Sequence, residues 1–447
     1  MIASTQYVSD NEHWAGSSSQ SSICSVEPST PGDVAVIFGT IQKTRTTWAV
    51  KGGGHAFNSG FSSTDGVMIS LAQFKEIDYS PTSSTVTVGA GNIWDDVYAK
   101  LAPLGVTVVG SRVPGVGMQK NILTYLGGGY SWITQKYGLS IDNIVSYEPV
   151  TPNAQILTVT AQSHPDIFFG LRGGGNNFGI VTGFVLKAHP QGQVYGGMLV
   201  YIGDIPAIRQ AIQDFDANNN DPNALILPTY VYGGTLVVSI VLFYDGPTPP
   251  NGTFDAFLAV PGAVETDVKA RSFLDFVQSL NQVSPASRVA SHTVPIIRYT
   301  QRIVDAIVNQ TIVSPSWNQP NNGLIDPNAF VALSIEPFNS DLYGHSTGGA
   351  YPHSPAHPWT PFQILISYTD PTADNVISAA ARTAAAAIQQ VAIEEGQSSP
   401  AAILYSNYAQ KGTDLKLLFG NNLPLLRTLQ ARYDSHDLLS LTGGWRF

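Results

Sequence analysis

The residues with the clearest capacity for chemistry sit in one loop. Lys51-Gly52-Gly53-Gly54-His55-Ala56-Phe57-Asn58-Ser59-Gly60 directly follows the apolar run Thr47–Val50. Glycines lacking side chains let successive backbone N–H groups point into one concavity, which suits a pyrophosphate. A histidine inside such a loop is held beside whatever the loop holds. For this loop alone, a tight turn with an incidental histidine is the alternative. Further glycine-rich segments shift the balance: Val113-Pro114-Gly115-Val116-Gly117, Leu126-Gly127-Gly128-Gly129-Tyr130, Lys136-Tyr137-Gly138 running on to Asn143, and Leu171-Arg172-Gly173-Gly174-Gly175 running through Gly179, Ile180 and Val181 to Thr182. Glycine clusters at strand ends point to close backbone approach to a long ligand at several places.

Other signatures fail on inspection. Gly89-Ala90-Gly91 and Gly115-Val116-Gly117 each lack the third glycine of a dinucleotide fingerprint. Gly344-His345-Ser346-Thr347-Gly348 fits the nucleophile-elbow pattern, but an elbow needs a helix after the serine. Pro352, Pro355 and Pro358 forbid that helix. His353 and His357 are four apart with Pro355 between them, which removes the helical face a metal pair would use, so no metal site is expected.

The elements that must position these loops come in two styles. Up to about residue 190, short β-branched runs alternate with glycine turns: Thr47–Val50, Val67–Ser70, Thr85–Val88, Val106–Val109, Ile156–Val159 and Ile180–Leu186, with helical periodicity over Pro31–Gln42 and Ile93–Leu104. From about 195 to 400, strand-like runs (Gly196–Ile202, Leu225–Val231, Thr235–Phe243, Phe330–Glu336, Phe362–Tyr368) alternate with amphipathic helices (Ile205–Ala217, Ser272–Val283, Tyr299–Asn309, Thr372–Glu395). This predicts α+β, with an antiparallel sheet covered by helices on one face. Ser340–Pro361 reads as a long loop, and the tail as a short strand at Tyr405 and a helix over Leu423–Tyr433.

Composition sets outer limits. At 447 residues the chain is too long for one ordinary core. Net charge is 22 − 32 = −10 with no basic run, which argues against nucleic acid. Charged residues are only 12%, yet the longest candidate for a span, Leu236–Phe243, has strand length, so no membrane partner is expected. A single cysteine, Cys24, excludes a disulfide scaffold. Met1-Ile2-Ala3-Ser4 turns polar too early to read as a secretory signal, as a mature N-terminus also would, while the sequons at Asn251 and Asn309 would permit glycosylation of a secreted protein.

In order and spacing the glycine segments, with Tyr405-Ser406-Asn407-Tyr408 and the Arg432-Tyr433-Asp434 stretch ahead of a Gly-Gly-aromatic ending, resemble the vanillyl alcohol oxidase/p-cresol methylhydroxylase flavoprotein superfamily, in its berberine-bridge-enzyme-like branch. The resemblance covers residues 20–190 and 400–447 well and the middle mostly by architecture. It implies a FAD-binding domain in two parts, 1–190 and 401–447, around an inserted substrate domain, 191–400. It implies FAD-dependent oxidation of an alcohol-type substrate, with O2 as acceptor, in a secreted or vesicular protein. Oxidative cyclisation or dehydrogenation in secondary metabolism is the second enzymatic reading, and a non-catalytic flavin-binding protein the third.

Residue by residue, the resemblance implies pyrophosphate binding by Gly52, Gly53, Gly54, Ala56, Asn58 and Gly60, and a covalent bond from His55 to the flavin 8α-methyl. Relatives with a second bond carry cysteine where this chain has Val113, so one bond is expected. Val116 and Gly117 fall beside the flavin ring, where valine accompanies reactivity with O2. Gly128, Gly129, Tyr130, Tyr137, Gly138, Asn143, Gly179, Ile180, Val181 and Asn407 complete the implied cofactor set. Tyr408 corresponds to the base that takes the substrate proton, and Glu336 to its acidic partner. A merely structural Tyr408, or a Glu336 that simply ends an exposed strand, is the alternative at each position. Tyrosine titrates near pH 10, so it needs help near neutrality. Substrate contacts are expected from Phe57, Trp132, Trp317, Tyr343, Tyr351, His353 and Trp359.

Overall fold

The computed structural model describes residues 4–116, 124–280, 288–313, 318–319, 323–324 and 326–447. Gly117 and Trp317 lie outside them. The fold is α+β, built on sheets of three, four and eight strands among the described residues.

The three-stranded sheet is parallel, with Val67–Ser70 between Cys24–Val26 and Trp48–Lys51. The helix Pro31–Thr44 is started by a reciprocal cap between Thr30 and Asp33, with Pro31 in its first turn. Its buried face is Val34, Phe38 and Ile41, and Phe38 meets the edge of Trp48 at 5.3 Å. Trp48 also donates its indole N–H to Leu438 O at 3.1 Å, so the tail pins the strand that launches the glycine loop.

In the antiparallel four-stranded sheet, Ile180–Lys187 lies between Thr85–Gly89 and Ile144–Val150, with Ile77–Ser80 outermost. Ile144–Val150 was not anticipated because Pro149 interrupts it; the proline sits at a register shift, where a missing N–H is tolerated. The run Ile156–Val159 forms two isolated bridges rather than a strand, because Thr160–Ser163 turns the chain into the helix Pro165–Leu171.

In the eight-stranded sheet all strand pairs are antiparallel; its long strands run in the order Gln193–Ile202, Leu236–Tyr244, Ala224–Tyr232, Phe330–Ser334, Thr360–Tyr368 and, at the edge, Arg288–Ile296. Val331, Leu333, Phe362, Ile364 and Ile366 point to one face and pack on the helices Pro206–Asn218, Gln301–Val313 and Asp374–Glu394. By length and composition the stretch Pro371–Glu394 would pass for a membrane span. Its buried residues, however, recur as Ile377, Ala381, Ala384, Ile388 and Ala392, the stripe of a helix lying on a sheet. The opposite face packs Leu225, Val241 and Phe243 into the core shared with the smaller sheets. Two further expectations need correcting. No strand forms at Tyr405, where the chain turns instead, and the segment after Ser340 opens with a 3-10 helix, Ser340–His345.

Candidate active site

Three distant segments bring Arg112, Glu336 and Tyr408 together. Beyond Phe330–Ser334 the ladder continues through Ile335 N–H to Pro228 O at 2.8 Å, so alternation sends Ile335 to the helices and Glu336 to the other face. Tyr408 stands on a turn in which Tyr408 N–H and Ala409 N–H both donate to Tyr405 O. Arg112 is fixed through its carbonyl, which accepts the Trp132 indole N–H at 2.8 Å. Arg112 Nη2 donates to Tyr408 Oη at 2.6 Å and lies 2.9 Å from Glu336 Oε2; Tyr408 Oη donates to Glu336 Oε1 at 2.9 Å. Glu336 is only 1% exposed.

Burial raises the Glu336 carboxyl above its ordinary value, with Arg112 opposing. Burial also works against the charge of Arg112, but Glu336 and Tyr408 outweigh it and hold the guanidinium firmly protonated. Burial lifts the Tyr408 phenol well above pH 10, Arg112 opposing and Glu336 reinforcing. The help expected for Tyr408 is therefore not a lowered pKa; it is a hydrogen-bonded acceptor already in place. Arg112 was missed by sequence reasoning. Its partner Tyr408 is 296 residues away, and nothing local marks that arginine.

Around this centre the glycine loops converge. His55 is half-buried, its ring stacked on Trp14 at 4.4 Å and 11°. Trp14 N–H donates to Gly54 O at 2.9 Å, so the N-terminal segment lies over the loop of Gly52, Gly53 and Gly54. Gly54 has φ +73, and a Cβ there would stand 2.7 Å from Lys51 Cε. Ala56 is buried in the core. The Asn58 side chain donates to Ala409 O and accepts from Lys411 N–H, both at 2.9 Å. Its amide is thus a latch on the segment after Tyr408 rather than free for a cofactor. Gly60 abuts Gly443, where an added Cβ would lie 1.7 Å from Gly60 O.

On the other side, Gly129 N–H donates to Tyr405 Oη at 3.0 Å, and Ser140 and Ile141 N–H donate to the carbonyls of Gly129 and Gly128. A Cβ on Gly127 would lie 2.2 Å from Asn407 Oδ1, and Asn407 Nδ2 donates to Tyr405 Oη. Tyr137 stacks on His189 at 3.7 Å, and Gly138 turns the chain at φ +82. Asn143 uses its amide on Tyr137 O and Leu139 O. Gly179, Ile180 and Val181 lie within sheet packing, with the Ile180 and Val181 side chains buried. Val116 is buried, its carbonyl accepting Trp94 N–H, and Val113 is half-buried. Cys24 is exposed on the edge of the first sheet. Ser131 Oγ and Arg112 Nη1 are buried without a hydrogen-bond partner among the described residues. Orphaned polar atoms where glycine loops meet fit a cofactor rich in nitrogen and oxygen, as FAD is.

The aromatic expectations divide. Trp132 is buried against Phe243 and Phe276, a support for Arg112 rather than an open face. Tyr343 is buried and bonded to Tyr130 Oη at 2.7 Å. Tyr351 is buried and stacks on His353, and His353 binds Asp142 at 3.0 Å, which in turn pairs with Arg172. These side chains are interior pins because each finds its polar partner inside the protein. Phe57 is half-buried, as is Trp359, which stacks on His357.

Residues 23–160 match the FAD binding domain family. An uncharacterized FAD-linked oxidoreductase of Arthroderma benhamiae is 32% identical over 381 residues, 80% of this chain and 72% of that protein. The chain belongs to the FAD-linked oxidoreductase family. A FAD-dependent monooxygenase of Arthrobotrys oligospora is 35% identical over 242 residues, 53% of this chain and 46% of its own length. Among solved structures, 6-hydroxy-D-nicotine oxidase of Arthrobacter nicotinovorans superposes with a TM-score of 0.78 at 17% identity, covering 98% of this chain and 95% of that one. The family has the vanillyl alcohol oxidase/p-cresol methylhydroxylase fold, and this chain is a FAD-dependent oxidoreductase.

Proposed function

We propose that the protein is an oxidase of an alcohol-type substrate, a sugar, aromatic or other small alcohol, with FAD joined to His55 by one covalent bond and O2 as the final acceptor. The observation that carries this reading is the contact of Tyr408 with both Glu336 and Arg112. Bound FAD would supply the hydride acceptor and, through reoxidation by O2, hydrogen peroxide. A substrate hydroxyl donating to Tyr408 Oη would pass its proton there as the phenol proton moves to Glu336 Oε1, so no tyrosinate need exist at rest. The upward shift of Glu336 makes it a better proton acceptor than an ordinary carboxylate. Arg112 holds both oxygens in register. One covalent bond is supported by Val113 at the position of the second link and by the exposed, distant Cys24.

A polar substrate is supported by the sheet face that carries Glu336. Ser239, Thr229, Ser334 and Gln363 stand directly opposite one another across four strands, all half-exposed, with Thr229 and Ser334 hydroxyls 3.0 Å apart. This row lies two residues from Glu336. Exposure of Asn251 and Asn309 supports a secreted, glycosylated protein.

The second reading remains dehydrogenation or oxidative cyclisation in secondary metabolism, and a relative named as a monooxygenase supports a chemistry other than simple alcohol oxidation. Peroxide release with simple sugars or aromatic alcohols separates the two. Tyr408→Phe, followed by anaerobic stopped-flow, tests the centre: flavin reduction should slow by about a hundredfold or more, the lower range for losing a general base, with reoxidation little changed. Equal loss in both half-reactions would remove Tyr408 from proton transfer.

A further inference from the structure

A cavity of about 300 Å³ opens where the loop after His55, the strand Arg288–Ile296, the first turns of the helix Asp374–Glu394 and the segment Gln410-Lys411 meet. Its floor is polar and unsatisfied. Gln410 is 5% exposed, and neither atom of its amide has a hydrogen-bond partner among the described residues; Ser291 is fully buried with its hydroxyl in the same condition. Each buried polar group left unpaired costs about 1–3 kcal/mol, so folded proteins seldom keep them without a ligand or water.

The rim is cationic. Arg288 is neutralised by Asp374 through contacts of 2.7 and 2.5 Å. Arg382 Nη2 donates to Lys411 O at 2.9 Å and Lys411 Nζ to Ser59 O at 3.3 Å, and both carry charge that no carboxylate among the described residues lining the cavity offsets. Three cations face one carboxylate, above a floor that can both donate and accept.

We propose that this cavity binds a small oxyanion, a carboxylate or phosphate group, with Arg382 and Lys411 as its charge partners and Gln410 and Ser291 as its hydrogen-bond partners. The site is separate from the Arg112–Glu336–Tyr408 centre. Ser291 lies opposite Leu365, and Leu365 opposite Ala332, two strands and four residues from Glu336. Strand spacing and rise put that separation at roughly 16 Å. The two sites nevertheless share a segment, since Gln410 follows Tyr408 by two residues and Asn58 latches the backbone between.

Isothermal titration of the flavin-loaded, full-length protein at low salt, with inorganic phosphate and separately with citrate, tests the site. Saturable binding of at least one is expected, weakened tenfold or more in Arg382→Gln/Lys411→Gln and unchanged in Tyr408→Phe. The stronger of the two anions identifies the source as phosphate or carboxylate. Both substituted side chains lie at the exposed rim, so folding of the double variant is checked by its unfolding temperature, and Gln410→Leu provides an independent variant from the floor, also expected to weaken binding. Absence of saturable binding to wild type overturns the proposal, as does equal binding by wild type and both variants.

Discussion

Replacing Glu336 by glutamine keeps the shape of the side chain and an oxygen for the Tyr408 hydroxyl, but deletes the charge that faces Arg112. The two groups lie 2.9 Å apart, and Glu336 is 1% exposed. At an effective dielectric of 20 the attraction over that distance is about 6 kcal/mol, an upper figure for what the carboxylate contributes. Arg112 would stay buried and charged with no counterion, a situation that costs about 3–5 kcal/mol when one partner of a buried pair is removed. Urea unfolding of the flavin-loaded protein should therefore show Glu336→Gln destabilised by about 3–5 kcal/mol. Arg112→Met combined with Glu336→Met removes both charges and should recover most of that loss, which a double-mutant cycle would register as strong coupling. A single variant within about 1 kcal/mol of wild type, or simply additive losses, would refute the idea that the pair organises the centre.

Other expectations follow from local geometry. Burial, and then the nearby Arg382, lower His292 from 6.5 to about 4. Its unfolded state takes up a proton that the folded state refuses, so stability is complete above pH 6.5 and is lost as pH falls toward about 4. The loss is of order 2–3 kcal/mol, and His292→Gln should flatten that part of the pH–stability curve measured by urea unfolding; an unchanged curve contradicts the burial argument. Gly443→Ala forces a Cβ to within 1.7 Å of Gly60 O, so thermal unfolding should show a loss of about 1–3 kcal/mol. Wild-type stability in that variant would mean that the tail does not brace the glycine loop.

Some of this architecture could be read from the sequence because the physics is local. The helix Leu423–Tyr433 and the strand Val67–Ser70 form over the residues their periodicity marks. The glycine loop shows itself because only glycine lets backbone approach so closely, as at Gly54 beside Lys51 and Glu12. The strand Arg288–Ile296 was illegible, since Ser291, Thr293 and Pro295 break its apolar pattern. It is the edge of its sheet, where a proline without an N–H is tolerated. Tyr343, Tyr351 and His353 look from sequence like the lining of an open pocket. Their roles are decided by Tyr130 and Asp142, more than two hundred residues earlier. Arg112 was hidden for the same reason, its meaning lying wholly in partners brought by other segments.

The central proposal is that His55 forms the one covalent bond to FAD. Absorption spectra of wild type and His55→Ala, taken before and after trichloroacetic acid precipitation, test it most directly. Flavin absorbance is predicted to stay with the wild-type pellet and to pass into the supernatant of His55→Ala. A colourless wild-type pellet under a yellow supernatant, or a variant pellet that keeps its flavin, would contradict the assignment.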